Sequence, residues 1–291
     1  PTGILMVSLP LAFADHLLWR EPAPSSSPPF NLPLSCPAFL SEDDERTASG
    51  KLKLRTVWIS DVHLGTPGCN ADLLLDYDKL SGVIITGEGA HFCAGGNLQR
   101  LLANREQAKE VQAQSIDGLH TWMEAIHTFP KPVIAAVEGA AAGAGFSLVL
   151  LCDLVVAARD SIFVMAYSSI ALSPDGGGSW NLSRALPRQI AAELMLLGER
   201  ISADRLHALG SINRLVESGT ALTQALDLAE RINARAPNAM QSIKELINDA
   251  ANQSLHMHLA QERDHFVNNL HHANSGIGIS AFLNKEKPIY K

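Results

Sequence analysis

Two buried strands that each run through a glycine-bearing turn into a helix constrain the fold of this chain most. The apolar segment 83–86 leads through 91–97 into a helix from Leu98, and 132–137 leads through 138–145 into an apolar helix that ends near Cys152. Glycine permits backbone conformations and close approaches that a Cβ would block. These junctions predict an α/β core in which helix N-termini follow directly on strand ends.

The rest of the chain has strands first and helices last. Short apolar runs rich in β-branched residues also predict strands at 154–157 and 162–165. Apolar periodicity, with Pro187, Ser202 and Pro237 as start signals, predicts the helices. These are 98–111, 116–127, 188–197, 203–209, 220–234, 238–252 and 254–272. The pattern indicates an α/β core with a helical C-terminal section.

The first fifty residues have a different composition. Residues 21–29 are rich in proline and serine, and 41–50 are polar and acidic without an apolar period. Such segments bury too little apolar surface to offset the entropy of ordering, so 1–50 is predicted to be poorly ordered. Residues 4–14 resemble a signal peptide only loosely, since no basic region precedes them.

Charge and cysteine content narrow the cellular setting. The formal net charge is −7, so no basic field is available to hold nucleic acid. Four cysteines without paired spacing indicate free thiols in a reducing compartment. No apolar run is long enough to cross a bilayer. We expect a cytoplasmic protein that binds neither nucleic acid nor membrane.

The two glycine turns suggest a chemistry, with a structural alternative beside it. A helix N-terminus presents unpaired N–H groups and the positive end of the helix dipole. Two such groups that converge on one point form an oxyanion hole, in which each donor is worth roughly 3–4 kcal/mol to a developing enolate. Taken alone, either turn is better explained by small residues that let a helix pack closely on a sheet. Gly143-Ala-Gly145 is an incomplete dinucleotide motif and predicts no nucleotide site.

The order of several motifs resembles the crotonase (enoyl-CoA hydratase/isomerase) superfamily over about residues 78–291. The motifs are FCAGGNL at 92–98, KPVIAAVEG at 131–139, GAG at 143–145 with Cys152-Asp153, PDGGGSW at 174–180, LHALGSINRLV at 206–216 and GISAFLNK at 278–285. Within that superfamily, the chain is most similar to the subgroup labelled oxepin-CoA hydrolase of the alternative type or enoyl-CoA hydratase. The resemblance implies a crotonase-like spiral ββα core (78–200) without its N-terminal part, then a helical section (201–291).

The resemblance also implies a binding site for an acyl-CoA thioester. The backbone amides of Gly96 and Gly143 would form the oxyanion hole, with Ala94 in the substrate-binding turn. Phe282 and Lys285 match residues that help to hold the coenzyme A of a neighbouring subunit; a hydrophobic contact and a solvated lysine explain them equally well. No cofactor is implied beyond the coenzyme A of the substrate, and no metal. Relatives form trimers or dimers of trimers, so a homo-oligomer is expected.

The acid–base residues of typical hydratases are replaced. Ser147 and Tyr167 stand at the positions of the family's two catalytic glutamates. Asp175 is the nearest carboxylate candidate for an acid or base, although Asp-Gly pairs also serve simply to shape turns. We therefore expect an enoyl-CoA lyase or isomerase of fatty-acid or aromatic-acid catabolism that stabilises a thioester enolate, with hydration, isomerisation or hydrolysis left open. The alternative is an impaired acyl-CoA-binding pseudoenzyme or a non-functional fusion.

Residues 51–77 resemble a different family. The segment LRTVWISDVHLGT at 54–66 is similar to the opening of calcineurin-like metallophosphoesterases, such as UDP-2,3-diacylglucosamine hydrolases. In that family, Asp61 and His63 would be the first two ligands of a dimetal site. The later ligand motifs do not follow, so this segment predicts a fragment joined to the crotonase-like part and no metal site.

Overall fold

The computed structural model describes residues 3–9, 56–59 and 80–290. The strands among them are β1 (Gly3–Leu9), β2 (Thr56–Ile59), β3 (Leu80–Gly87), β4 (Val133–Val137), β5 (Ala140–Ala142), β6 (Leu154–Ala158), β7 (Ile162–Val164), β8 (Arg200–Ser202) and β9 (Arg214–Val216). The helices are α1 (Leu98–Asn104), α2 (Lys109–His127), α3 (Ala144–Leu151), α4 (Gly178–Ala185), α5 (Arg188–Leu197), α6 (Ala203–Ala208), α7 (Ala221–Asn233), α8 (Pro237–Ala250), α9 (Leu255–His271) and α10 (Ala273–Asn284).

Two sheets organise these elements. The larger one has the strand order β2-β1-β3-β4-β6-β9, with every neighbouring pair parallel. In the smaller one, β7 pairs in parallel with β5 and antiparallel with β8. Glu138 and Gly139 connect β4 of the larger sheet to β5 of the smaller one. The second glycine-bearing turn therefore begins where the chain passes from one sheet to the other.

The central strands are apolar because both of their faces are covered, as is usual for parallel sheets. Every residue of β4 is buried. Alternate residues point to opposite faces: Val133 belongs to the main core, whereas Ile134 belongs to a second core that includes Ala225 of α7. Small alanines along α7 (Ala221, Ala225 and Ala229) let this helix pack on the second face.

The N-terminal strands pair with the edge that the sequence predicted to be incomplete. β1 lies between β2 and β3, with Met6 paired to Ile84 and almost fully buried. Residues 3–9 of the segment predicted to be poorly ordered thus form a strand, while 10–50 lie outside the described residues. Within the phosphoesterase-like segment, Thr56–Ile59 form β2. The edge of β3 is therefore paired, and β2 is the outermost strand of the larger sheet on this side.

Several boundaries differ from the predictions. The helix predicted over 98–111 ends at Asn104, and the next one starts at Lys109 rather than near 116. Two helices, α4 and α10, were not predicted; both begin among glycines or serines, which are weak helix formers. β9 extends the larger sheet although it lies within the section predicted to be helical. No helix in the described part of the chain is long and apolar enough to span a membrane.

Candidate active site

The two glycine turns lie side by side. The amides of Phe92 and Cys93 both donate to the carbonyl of Ala140, at 3.1 Å, and the amide of Ala142 donates to the carbonyl of Cys93, at 2.8 Å. Cys93 and Ala141 form a parallel bridge. The first turn is therefore tied to β5, directly before α3 begins, which is the proximity that an oxyanion hole requires.

Glycine is needed at two positions because the turns approach so closely. A Cβ on Gly95, where φ is +84°, would lie 2.8 Å from the carbonyl oxygen of Ala142 and 3.5 Å from the amide nitrogen of Ala144. A Cβ on Gly145 would lie 2.4 Å from the carbonyl oxygen of Cys93. Real Cβ atoms do not tolerate such backbone contacts, so the glycines allow the two turns to meet.

The predicted donor role of Gly143 needs a correction. Its amide donates to the carbonyl of Val164 at 2.9 Å, within the contact between β5 and β7, and so does not point at a substrate. Gly143 is glycine because of its backbone, with φ +53° and ψ −122°. The next amide, that of Ala144, is the first of α3 and has no acceptor among the described residues. Ala144 therefore replaces Gly143 as the candidate donor opposite Gly96.

The amide of Gly96 fits the same role. No described residue accepts a hydrogen bond from it, and Gly96 is partly exposed. Gly95, the residue before it, lies against Ala144. Asn97 follows and caps α1, since its side chain accepts from the amide of Arg100 at 3.1 Å. Ala94, predicted to line the substrate-binding turn, is exposed between buried Cys93 and Gly95.

The three candidates for acid–base chemistry form one hydrogen-bonded cluster. The Tyr167 hydroxyl donates to Oδ1 of Asp175 at 2.6 Å. The Ser147 hydroxyl is within donating distance of two carbonyls, that of Asp175 at 3.1 Å and that of Gly143 at 3.3 Å. A Cβ on Gly143 would lie 3.7 Å from the Tyr167 hydroxyl. The cluster thus stands beside the start of α3 and the candidate hole.

Burial decides the protonation of Tyr167. Removal from solvent, reinforced by the negative charge of Asp175, raises the pKa of the Tyr167 hydroxyl far above its usual value. The phenol therefore stays protonated near neutrality and acts as a hydrogen-bond donor, not as a base. Ser147 is fully buried, and its hydroxyl is directed at backbone carbonyls. The carboxylate of Asp175 is left as the group in this cluster that can accept a proton.

The turn that carries Asp175 combines both roles considered for it. Gly176 and Gly177 have φ values of +57° and +78°, and the Gly178 amide donates to the Asp175 carbonyl at 3.1 Å. A Cβ on Gly178 would lie 2.5 Å from the Ser147 hydroxyl oxygen. The backbone of Asp175 therefore shapes a turn pressed against Ser147, while its carboxylate points to Tyr167.

The remaining predicted residues lie elsewhere. Phe282 is 84% exposed on α10, and Lys285 ends that helix with φ +58°. The Glu138 carboxylate accepts from the amides of Gly219 and Ala221 and so anchors the N-terminus of α7. The described residues contain no group of three His, Cys, Asp or Glu side chains able to hold a metal ion. Asp61 and His63 lie outside the described residues.

Two features near the site were not predicted from the sequence. A cavity of about 350 Å³ lies beside the cluster, lined in part by His120, Met123, Glu124 and His127 of α2. These four residues are spaced three and four positions apart, which places them on one face of a helix. That spacing is the sequence signal from which a shared surface could have been predicted. Farther along, the Lys244 ammonium is buried 2.7 Å from Oδ2 of Asp153. Nothing local in the sequence pairs residues so far apart.

Comparison with known proteins shows which family this chain belongs to. The profile of the family described as enoyl-CoA hydratase/isomerase matches residues 73–291, slightly more than the predicted 78–291. The chain is 36% identical to the 1,2-epoxyphenylacetyl-CoA isomerase of Escherichia coli K12 over 212 residues, covering 72% of the chain and 81% of that protein. It is 34% identical to the 2,3-dehydroadipyl-CoA hydratase of the same strain over 213 residues, covering 73% and 82%.

A solved structure agrees. The crystal structure of an enoyl-CoA hydratase from Polaromonas sp. JS666 superimposes with a TM-score of 0.74 at 63% identity, covering 76% of the chain and 86% of that structure. An enoyl-CoA hydratase from Bacillus anthracis gives a TM-score of 0.71 at 30% identity, covering 76% and 84%. The predicted fold and the predicted family are both confirmed: the chain belongs to the enoyl-CoA hydratase/isomerase, or crotonase, superfamily.

Proposed function

We propose that this chain binds an acyl-CoA thioester and stabilises its enolate between the backbone amides of Gly96 and Ala144. The observation that carries the proposal is the position of the Ala144 amide. It opens α3, lies 3.5 Å from where a Cβ of Gly95 would be, and has no acceptor in the described part of the chain. A thioester oxygen between the two turns would supply the missing acceptor.

The surroundings of this amide favour negative charge. Ala144 is the first residue of an eight-residue helix, whose N-terminus carries a partial positive charge. Nearly all of that helix is buried, so solvent screens the interaction little. Fixed donors of this kind are each worth roughly 3–4 kcal/mol to a developing oxyanion. Two of them would lower the barrier to enolate formation substantially.

Asp175 is the proposed proton carrier. Its carboxylate, held by the Tyr167 hydroxyl at 2.6 Å, is the carboxylate of the cluster beside the hole. A single carboxylate suits a reaction in which one group removes a proton from the acyl chain and returns it to another carbon. Hydration by two glutamates does not fit, because Ser147 and Tyr167 occupy their positions. We therefore favour double-bond isomerisation of an enoyl-CoA over hydration or hydrolysis.

Assembly into a homotrimer or a dimer of trimers belongs to the same proposal. Large apolar side chains are exposed on the last two helices, among them Phe266, Leu270, Phe282 and Leu283. Exposed large apolar side chains on two helices that contact each other are typical of an interface. In such an assembly, Phe282 and Lys285 would meet the coenzyme A of a neighbouring subunit. Light scattering on the purified protein measures the assembly size directly.

A cytoplasmic location is also proposed. Cys152 is a buried free thiol, which suits a reducing compartment. Fractionation of cells that produce the protein, followed by immunodetection, tests this location. Recovery in a secreted fraction would contradict it.

The test of the function distinguishes acyl-CoA binding, enolate formation and the overall reaction catalysed. The protein is incubated in D₂O with butyryl-CoA, and NMR follows the exchange of the Cα protons; trans-3-hexenoyl-CoA and crotonyl-CoA then report isomerisation and hydration. Exchange together with conversion of the 3-enoyl thioester to the 2-enoyl thioester supports the proposal. Binding without exchange would indicate a pseudoenzyme, and hydration of crotonyl-CoA without isomerisation would overturn the one-carboxylate assignment.

A further inference from the structure

The cavity of about 350 Å³ borders the candidate active site. Its wall includes Gly176 and Gly177, the residues directly after Asp175, together with Met123. A Cβ on Gly176 would lie 3.0 Å from Cε of Met123 and 3.6 Å from Cβ of Ser147. The cavity therefore begins where the hydrogen-bonded cluster ends. Its volume is in the range of pockets that hold small ligands, roughly 300–1,000 Å³.

A second cavity of about 500 Å³ lies beyond the first. It is lined by polar side chains of α8, including Gln241, Lys244 and Glu245, and by the loop after α2. His127 and Trp180 line both cavities. These two rings therefore form a partition between an inner cavity next to the active site and an outer, more polar cavity.

Contacts on both sides hold the partition in place. The His127 ring meets the Trp180 ring edge to face, with centroids 5.5 Å apart and an angle of 81°. The guanidinium carbon of Arg184 lies 3.7 Å from the Trp180 ring centroid, and Arg184 also donates to Asn252 at 3.4 Å. The carbonyl of His127 accepts from the Asn248 side chain at 2.8 Å.

The partition presents uncharged rings to the inner cavity. Burial, assisted by the positive charge of Lys244, lowers the pKa of His127 below its usual 6.5, so the ring is neutral at physiological pH. Behind it, Lys244, Glu245 and Asp249 place charges around the outer cavity.

We propose that Trp180 closes the far end of the acyl pocket and so restricts this protein to short or compact acyl-CoA thioesters. The inference rests on the proposed function, because it takes the inner cavity as the place of the acyl group. Chain length is then set by a side chain that is neither one of the proposed oxyanion donors nor the proposed proton carrier. Removal of the indole joins the two cavities and lets a longer chain continue past residue 180.

The test is a chain-length series of dissociation constants, measured by calorimetry with butyryl-, octanoyl- and dodecanoyl-CoA. Each methylene that becomes buried improves affinity about fourfold. The wild-type protein is expected to bind octanoyl-CoA no more tightly than butyryl-CoA. Trp180→Ala is expected to shift the octanoyl-to-butyryl ratio by at least about tenfold in favour of the longer chain. Gln241→Ala, a change at an exposed residue that lines the outer cavity and not the inner one, should keep the wild-type ratio.

Each alternative outcome has a definite meaning. An unchanged ratio in a folded Trp180→Ala protein overturns the inference, as does a wild-type affinity that rises with every methylene from butyryl to octanoyl. If Trp180→Ala fails to fold, Trp180→Phe, which leaves a smaller ring, must still shift the ratio in the same direction. Failure of the wild-type protein to bind any of the three thioesters would instead refute the proposed function on which the inference rests.

Discussion

Replacement of Asp175 by asparagine tests the proposed proton carrier with little disturbance of the fold. Asparagine is close to aspartate in size, and its Oδ1 can accept from the Tyr167 hydroxyl as the carboxylate does, at 2.6 Å in the native chain. The backbone of the turn, in which the Gly178 amide donates to the residue 175 carbonyl, does not depend on the side chain. What is removed is the negative charge and the capacity to take a proton.

The expected magnitudes separate chemistry from stability. A positioned general acid or base typically contributes about 10²–10⁴-fold to the rate, so the exchange of Cα protons of butyryl-CoA should slow by that factor. The cost to folding is the difference between a charge-assisted and a neutral hydrogen bond, on the order of 1 kcal/mol. Acyl-CoA affinity should change little, because the donors at Gly96 and Ala144 are intact.

The assay is proton–deuterium exchange followed by NMR, with urea unfolding and calorimetry on the same samples. Asp160→Asn, at an exposed carboxylate in the turn after β6, serves as the matched control and should exchange at the wild-type rate. Exchange by Asp175→Asn within about threefold of wild type, far below the factor that a general base supplies, would refute the role of Asp175. An equal loss in Asp160→Asn would show that the effect is not local.

Three further changes have definite expectations. Ala144→Pro deletes one donor at the first helical position, where proline is tolerated, and should slow exchange by about 10²–10³-fold, whereas Ala144→Gly keeps the amide and should not. Lys244→Met removes the 2.7 Å partner of the Asp153 carboxylate, whose side chain is 24% exposed, and should lower the free energy of unfolding in urea by about 1–3 kcal/mol, with partial recovery when Asp153→Asn is added. The third expectation concerns pH. The pKa of His127 is lower in the folded chain than its unfolded value of 6.5, so the unfolded chain binds more protons as the pH falls below 6.5. The free energy of unfolding should therefore decrease from pH 6.5 down to the folded pKa. In His127→Gln this decrease should be less steep. A pH dependence that is the same in both proteins would contradict this assignment.

Those parts of the fold and of the site that depend on local sequence pattern could be predicted. Buried strands such as β4 are short apolar runs, and the turns before α1 and α3 are marked by glycine because the backbones there approach within Cβ contact distance. The resemblance also named Ser147, Tyr167 and Asp175 as candidate site residues, and the structure brings these three within hydrogen-bonding distance of one another.

The features that could not be predicted from the sequence depend on contacts between residues far apart in the chain. Whether Gly143 or Ala144 has the free amide is decided by a hydrogen bond to Val164, on a strand of the second sheet. β1 joins the larger sheet beside β3 although a long stretch of chain separates them. The partition between the two cavities likewise requires Trp180 of α4 to meet His127 of α2. Local hydrophobic periodicity does not predict such long-range contacts.

The central claim is that the amides of Gly96 and Ala144 hold one thioester oxygen. A crystal structure of the protein with butyryl-CoA bound measures this directly. The account predicts that the thioester oxygen lies about 2.7–3.1 Å from both nitrogen atoms, with the amide of Gly143 still donating to Val164. A thioester oxygen that contacts neither amide, or that is held by Gly143 after loss of its bond to Val164, would contradict it.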